Sequence, residues 1–245
     1  MAMKAMIFAA GLGTRLKPLT DTMPKAMVPV VGKPLLAHVL DKLVAAGYDE
    51  IVVNVHHFPD QIIEYLASND SGARISISDE RELLRETGGG IQFAKPLLEG
   101  PDPFLVHNVD ILSNLDLEWF RDRHRPDSLA TLLVSSRKTQ RYLLFDDDGF
   151  LRGWTNLATG EVRSPFGSID PGNYRMLAFS GIHYISQEVF GAFARYGFHE
   201  RFSIMDFYLR ACADYPIRAA VYPGLNLLDV GKPESLASAA EFGGV

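Results

Sequence analysis

The sequence predicts an α/β fold, a mixed and mostly parallel β-sheet flanked by helices, with a small antiparallel insertion over about residues 136–176. Three observations carry this. Through the first 110 residues, short apolar runs of strand length alternate with segments whose apolar residues recur at helical spacing, the order that builds a parallel sheet. The first run stops at a glycine-rich loop, as a central strand does where it leaves the sheet. After residue 129 the pattern changes to strand-like runs joined by a hairpin-type turn. The arrangement is Rossmann-like, and at 245 residues one domain over 1–245 is the simplest organisation.

Taken in order, Lys4 to Ala9 reads as a buried parallel strand that breaks at Gly11. Leu35, Leu36, Val39, Leu40, Leu43 and Val44 then fall on one helical face, and Gly47 follows as a C-terminal cap. Ile51 to Val55 is a strand, Phe58 to Leu66 a helix with Pro59 near its start, and Arg74 to Ser78 a further strand. Gly88-Gly89-Gly90 reads as a turn before a helical segment, and Pro103 to His107 as a strand ending at Asn108-Val109-Asp110.

In the second half, Leu129 to Ser135, Tyr142 to Phe145 and Leu151 to Trp154 are strand-like, with Asp146-Asp147-Asp148-Gly149 as a hairpin turn. Residues 156–174, rich in Gly, Pro, Ser and Asn, read as a long loop. Met176 to Ile185 and Ile217 to Tyr222 are strands, while Val189 to Phe193, Ile204 to Cys212 and Glu234 to Phe242 are helices. No internal repeat is visible, including the hexapeptide repeat of a β-helix.

Composition narrows the function. Hydrophobic residues are 47% and charged residues 22%, values of an ordinary soluble globular protein. The opening apolar run is interrupted too early for a signal peptide, and no stretch approaches the ~20 residues of a membrane span. Cys212 is the only cysteine, which excludes an intrachain disulfide and fits a reducing cytoplasm. No zinc spacing joins it to the seven histidines. The net charge of −6 argues against non-specific nucleic-acid binding. Yet Lys4, Arg15, Lys17, Lys25 and Lys33 face only Asp21 within residues 1–33, so an anionic ligand is expected there.

The loop Gly11-Leu12-Gly13-Thr14-Arg15 directly follows a strand, so its backbone N–H groups can meet a phosphate beyond the strand's carboxyl end. It is neither a dinucleotide fingerprint, because Leu16 stands where a third small residue belongs, nor a Walker A loop, which needs G-K-[ST]. What stands there is G-L-G-T-R-L-K-P-L-T, then Pro24-Lys25 and Lys33-Pro34. This resembles the signature of nucleotidylyltransferases that act on sugar 1-phosphates, G-x-G-T-R-x-x-P-x-T followed by P-K and K-P. The fold implied is the nucleotide-diphospho-sugar transferase type.

The resemblance implies that Ala10, Gly11, Gly13 and Thr14 hold a nucleoside triphosphate and that Arg15 contacts the phosphates that leave as pyrophosphate. Arg15 suits phosphate oxygens through its planar fork, and Lys25 can act as a compact charge near the α-phosphate. Lys17 and Lys33 are weaker candidates, since a solvated lysine is the commoner outcome. Asp110 ends an apolar strand at the sheet edge where Gly11 lies, the position of a magnesium ligand. Its alternative role is a cap for the helix from Leu117, for which Asn114 and Asp116 are better placed. Asp229 lies in Asp229-Val230-Gly231-Lys232-Pro233, which looks like the family's D-V-G-x-P segment and supplies its second Mg2+ carboxylate; capping the helix after Pro233 is the alternative. Val109 departs from the family, which usually has glycine there. Asp146 to Asp148 lack EF-hand spacing, and of His56 and His57 one either lines the nucleotide cleft or both are surface residues.

Glu86-Thr87-Gly88-Gly89-Gly90 looks like the base-recognition segment, with Glu86, Gly88 and Gly89 against the base. E-T-G-G-G followed by Ile91 is similar to N-acetylmuramic acid 1-phosphate uridylyltransferases, which implies UTP as donor; mannose 1-phosphate guanylyltransferases tend to carry G-T-x-G-A. Phe179-Ser180-Gly181-Ile182 resembles the strand that contacts the sugar, with Gly181 leaving space for hydroxyls. Trp154 and Asn156 are candidate sugar contacts, and Asp206 either touches sugar or caps its own helix. The implied partners are an NTP and a sugar 1-phosphate, with neither nucleic acid nor membrane; oligomeric state is left open. The alternatives are a GTP-dependent mannose or heptose 1-phosphate enzyme and a catalytically silent nucleotide-binding subunit.

Overall fold

A computed structural model describes residues 2–239 and 242 of the chain. The first half contains β1 (Lys4–Phe8), the small hairpin β2 (Pro29–Val30) and β3 (Lys33–Pro34), α1 (Leu35–Ala45), β4 (Glu50–Val55), α2 (Pro59–Ser68) and β5 (Arg74–Asp79). It continues through α3 (Glu86–Phe93), α4 (Lys95–Leu98), β6 (Phe104–Asn108), β7 (Ile111–Ser113) and α5 (Leu117–Arg121). The second half adds β8 (Ala130–Ser135), β9 (Arg141–Phe145), β10 (Leu151–Asn156), β11 (Glu161–Arg163) and β12 (Arg175–Ile185). It closes with α6 (Val189–Tyr196), α7 (Ile204–Ala211), β13 (Ile217–Val221), β14 (Leu227–Asp229) and α8 (Pro233–Ala239).

β5, β4, β1 and β6 lie side by side and parallel, and β12 joins β6 antiparallel. β8 pairs antiparallel with β12 and parallel with β13. β1 is central and reads KAMIF, with successive residues on opposite faces. Accordingly Ile7 joins the core beneath α1 (with Leu36, Val39 and Leu43), while Met6 joins the core beneath α6 and α7 (with Phe193 and Phe207).

β12 is the hinge between the two halves of the fold. Its first residues pair with β9 in the insertion and its last with β6 in the main sheet. The register breaks between Phe179 and His183, where Gly181 takes φ +75, a conformation that a side chain would oppose. One strand can thereby serve two sheet regions.

Local chemistry sets the boundaries. Pro59 opens α2 and Asp60 lies in its first turn. Asp116 caps α5 by accepting from Glu118 and Trp119 N–H at 2.9 and 3.0 Å, as expected. Asn114 does something else: it bonds Gly224 O and Asn226 N, tying β7 to the approach of β14. The predicted hairpin at 146–149 is present between β9 and β10, with Phe150 N–H held by the Asp146 carboxylate at 2.8 Å.

Two expectations are corrected. The Gly88-Gly89-Gly90 turn is the interior of α3. The predicted 156–174 loop contains β11, whose Arg163 pairs with Trp154 across a tight 157–160 turn. The closing helix starts at Pro233 and is described to Ala239; residues 240 and 241 lie outside the described residues. The β7–β14 pair has no counterpart in the sequence prediction.

His107 and His183 are fully buried, and loss of hydration pushes their imidazoles down to about 4 and about 3. Both are neutral in the fold at pH 7, whereas an unfolded histidine takes up a proton near 6.5. Their contribution to stability is present above pH 6.5 and is lost as pH falls towards 4. Urea midpoints should fall between pH 7 and pH 5, and His183→Phe should flatten that slope.

Candidate active site

The carboxyl ends of β1, β4, β5 and β6 open onto a cleft of about 570 Å3. On one side runs the loop from Ala9 to Thr14. Its base is fixed by Asn54, whose Oδ1 accepts from Ala9 N at 2.7 Å and Ala10 N at 3.3 Å. Thr20 Oγ donates to Gly13 O at 2.9 Å, and buried Leu16 anchors the following turn. Ala10, Gly11, Gly13, Thr14 and Arg15 all border the cleft. A Cβ on Gly11 would meet nothing within 4 Å, so the loop faces the cleft with bare backbone there.

Lys25 begins the 3₁₀ turn after Pro24 and is only 8% exposed. Its ammonium forms an ion pair with the Asp110 carboxylate, joining loop and β6 end across the cleft floor. Lys17 and Lys33, by contrast, pair on the outer surface with Asp21 and Asp41.

Asp110 and Asp229 are far apart in sequence but adjacent in the fold. β7 and β14 pair antiparallel with Asp229 opposite Ile111, and Val230 N–H bonds Asp110 O at 2.8 Å. Asp229 Oδ1 is buried without a hydrogen-bond partner, an arrangement that costs free energy unless a cation or donor arrives. A Cβ on Gly231 would lie 2.6 Å from Asp229 Oδ1 and 2.7 Å from an Arg15 guanidinium nitrogen, so only glycine leaves room there between the Arg15 side chain and this carboxylate.

Among the described residues no three His, Cys, Asp or Glu side chains gather as a metal site. Mg2+, however, is satisfied by one or two carboxylates with water and substrate phosphates. Asp110 and the orphaned Asp229 oxygen fit that donor set. Val109, 4% exposed, packs into the core at the cleft wall, with its N–H on Phe8 O.

Opposite the loop, the cleft wall is Leu84, Glu86, Thr87 and Ser203. Glu86 holds a left-handed φ of +62 although it is not glycine, and its carboxylate meets Arg201 Nε at 3.3 Å. Gly88 and Gly89 are absent from the cleft lining. Their N–H groups donate to Phe202 O, and a Cβ would meet the Phe202 ring at 2.2 Å or Glu200 O at 2.4 Å. Their assignment to the base is corrected: they permit close packing of the 198–203 segment, while Glu86 and Thr87 face the cleft.

Gly181 lies beside the cleft, where a Cβ would stand 2.9 Å from Asn108 Nδ2. Trp154 and Asn156 are not brought there. The Arg163 guanidinium covers the Trp154 ring at 5.9 Å, and Asn156 Oδ1 accepts from Ala158 N–H. Neither side chain borders the cleft, and both make contacts within the insertion. Asp206 pairs with Arg163 at 2.7 Å, and Ser203 caps α7. His56 and His57 bond the Glu80 and Thr20 carbonyls and do not line the cleft.

Asn54, Glu80 and Asn108 are among the cleft residues that escaped the sequence reading. Asn54 had a signal, because an amide within the apolar run Ile51 to Val55 must be hydrogen-bonded once buried. Glu80 is 2% exposed and receives Asn54 Nδ2 at 2.8 Å and Arg85 N at 3.2 Å. Burial pushes its carboxyl up, against these hydrogen bonds.

Residues 4–143 match the nucleotidyl transferase family. N-acetylmuramate alpha-1-phosphate uridylyltransferase of Caulobacter vibrioides is 36% identical over 244 residues, 96% of this chain and 94% of that one. The enzyme of the same name from Neisseria meningitidis is 48% identical over 115 residues, covering 46% of this chain and 49% of its own. The solved structure of HddC from Yersinia pseudotuberculosis, complexed with GMP-PN, superposes with a TM-score of 0.75 at 25% identity over 98% of each chain. With a family match over more than half its length and a relative matching nearly all of it, the chain belongs to the nucleotidyl transferase family and is a nucleotidyltransferase.

Proposed function

We infer that this enzyme transfers a uridylyl group from UTP to N-acetylmuramic acid 1-phosphate, forming the UDP-sugar and pyrophosphate, as one cytoplasmic catalytic domain with Mg2+. The observation that carries the reaction is that Arg15, Lys25 and Asp110 line one cleft and that the β7–β14 pairing sets Asp229 beside Asp110. The donor and acceptor are supported by similarity over nearly the whole chain to the Caulobacter uridylyltransferase and by Glu86-Thr87-Gly88-Gly89-Gly90.

The sugar phosphate oxygen attacks the α-phosphorus in line; the bond to the β-phosphate oxygen breaks and pyrophosphate leaves. A phosphate monoester is already an anionic nucleophile, so no general base is needed. Lys25 neutralises charge at the α-phosphate, and Arg15 takes the leaving phosphates in its fork. The bare backbone at Gly11 and Gly13 with Thr14 seats the triphosphate, Glu86 and Thr87 border the base, and Gly181 borders the sugar. Asp110 and Asp229 would hold Mg2+, which when bound adds positive charge against the phosphates.

A guanylyltransferase acting on mannose or heptose 1-phosphate is the second reading, favoured by the likeness to HddC in complex with GMP-PN. Pyrophosphate release measured for four NTPs against several sugar 1-phosphates separates the two. UTP with N-acetylmuramic acid 1-phosphate is expected to be the fastest pair. Faster turnover of GTP with mannose or heptose 1-phosphate replaces the first reading with the second.

A further inference from the structure

The phosphate-binding loop and the base wall belong to different segments of chain, yet a nucleotide must meet both at once. A single buried carboxylate joins them. Glu80 Oε1 accepts from Asn54 Nδ2 at 2.8 Å, and Asn54 Oδ1 in turn accepts from Ala9 and Ala10 N–H at the base of the loop. Glu80 Oε2 accepts from Arg85 N–H at 3.2 Å, one residue before the left-handed Glu86 that opens the base wall. Each oxygen therefore holds one side of the cleft.

The rest of Glu80 is fixed as firmly. Its N–H bonds Val55 O at 2.8 Å, and its carbonyl accepts from Leu83 N–H and meets His56 Nδ1. Asn54 and Glu80 are 3% and 2% exposed, and both border the cleft. Gly90 completes the arrangement from beneath: a Cβ there would stand 2.9 Å from Glu80 Oε1 and 3.2 Å from Asn54 Nδ2. Glycine at this helical position costs about 1 kcal/mol relative to alanine, so its presence needs a local reason, and the carboxylate supplies one.

We propose that Glu80 is a positioning residue for the nucleotide: through Asn54 on one side and Arg85 on the other, it holds the phosphate loop and the base wall at a fixed separation before the NTP arrives. The proposal rests on the nucleotide reading of the cleft. Only a carboxylate serves, because two donors converge on its two oxygens; an amide would turn an N–H towards a donor. Preorganisation of this kind lowers the cost of binding without touching the bond being broken. The effect therefore falls on NTP affinity rather than on the chemical step.

The test is steady-state kinetics together with calorimetric titration of UTP and Mg2+ in the absence of acceptor, on wild type, Glu80→Gln and Gly90→Ala. Glu80→Gln should raise KM and Kd for the NTP by about tenfold, the scale of a lost hydrogen bond to a charged group. The kcat and the KM for the sugar phosphate should stay within about twofold, a split that simple loss of stability does not produce. Gly90→Ala keeps every polar atom and crowds the Glu80 carboxylate together with the Asn54 amide bonded to it, so it should reproduce the NTP effect even if Glu80→Gln does not fold. Folded variants that bind NTP as wild type does, or that lose kcat at unchanged NTP affinity, overturn the proposal. A wild type that binds no NTP overturns the nucleotide reading and this proposal with it; one that binds NTP and transfers to a different acceptor leaves the proposal's expected results in place.

Discussion

Lys25→Ala should lower kcat by about 1,000-fold, the upper range for removing one preorganised charge donor at a developing charge. Two losses combine. The cation that would neutralise the α-phosphate disappears, and Asp110, which Lys25 partners in the ground state, is left as an unpaired negative charge beside the incoming phosphates. Lys25→Arg should not restore activity. The position is only 8% exposed, and the longer planar guanidinium neither fits it nor places a point charge at the same spot. Lys25→Met, which keeps the apolar stem, should fold and remain as inactive as Lys25→Ala. Stopped-time pyrophosphate release alongside thermal melts separates chemistry from folding: the expected pattern is a large kcat loss with NTP binding weakened far less.

The two carboxylates should respond to amide substitution in different ways. Asp110→Asn is expected to remove turnover by about 100- to 1,000-fold and also to lower the melting temperature, because it strands the part-buried Lys25 ammonium without its anion. Asp229→Asn should lose comparable turnover without loss of stability. Its Oδ1 is already buried without a partner, so removing the charge removes a cost the metal-free fold carries. In both variants a magnesium titration should show a raised half-saturation concentration. Equal melting temperatures for the two variants would contradict the distinct environments of these carboxylates.

Much of the fold was legible because its elements announce themselves locally. β1 is an apolar run that ends at glycine, α1 carries its buried stripe at helical spacing, and the 146–149 turn has a hairpin's composition. The misreadings have one physical source, contacts distant in sequence. Gly88 and Gly89 look like a turn until Phe202 and Glu200 are seen to press on them. β11 lacks an apolar pattern because it is an exposed edge strand held only by β10. The β7–β14 pair is too short to show a period, yet it sets Asp110 next to Asp229. Trp154 and Asn156 had suitable chemistry for a sugar, but Arg163 and the 157–160 turn engage them.

The phosphate side of the site was legible for the opposite reason: Gly11 to Lys25 is continuous in sequence, so spacing alone carries its geometry. Asn54 and Glu80 come from two separate strand ends, and only the folded sheet brings them beneath that loop.

The most direct test follows the phosphorus atoms. Purified enzyme is incubated with Mg2+, N-acetylmuramic acid 1-phosphate and UTP carrying 32P at either the α or the γ position, and the products are separated. Nucleotidyl transfer predicts that the α label appears in the sugar nucleotide and the γ label entirely in pyrophosphate. A γ label on the sugar, or no α label in any sugar nucleotide with any NTP and sugar 1-phosphate pair, would contradict the account.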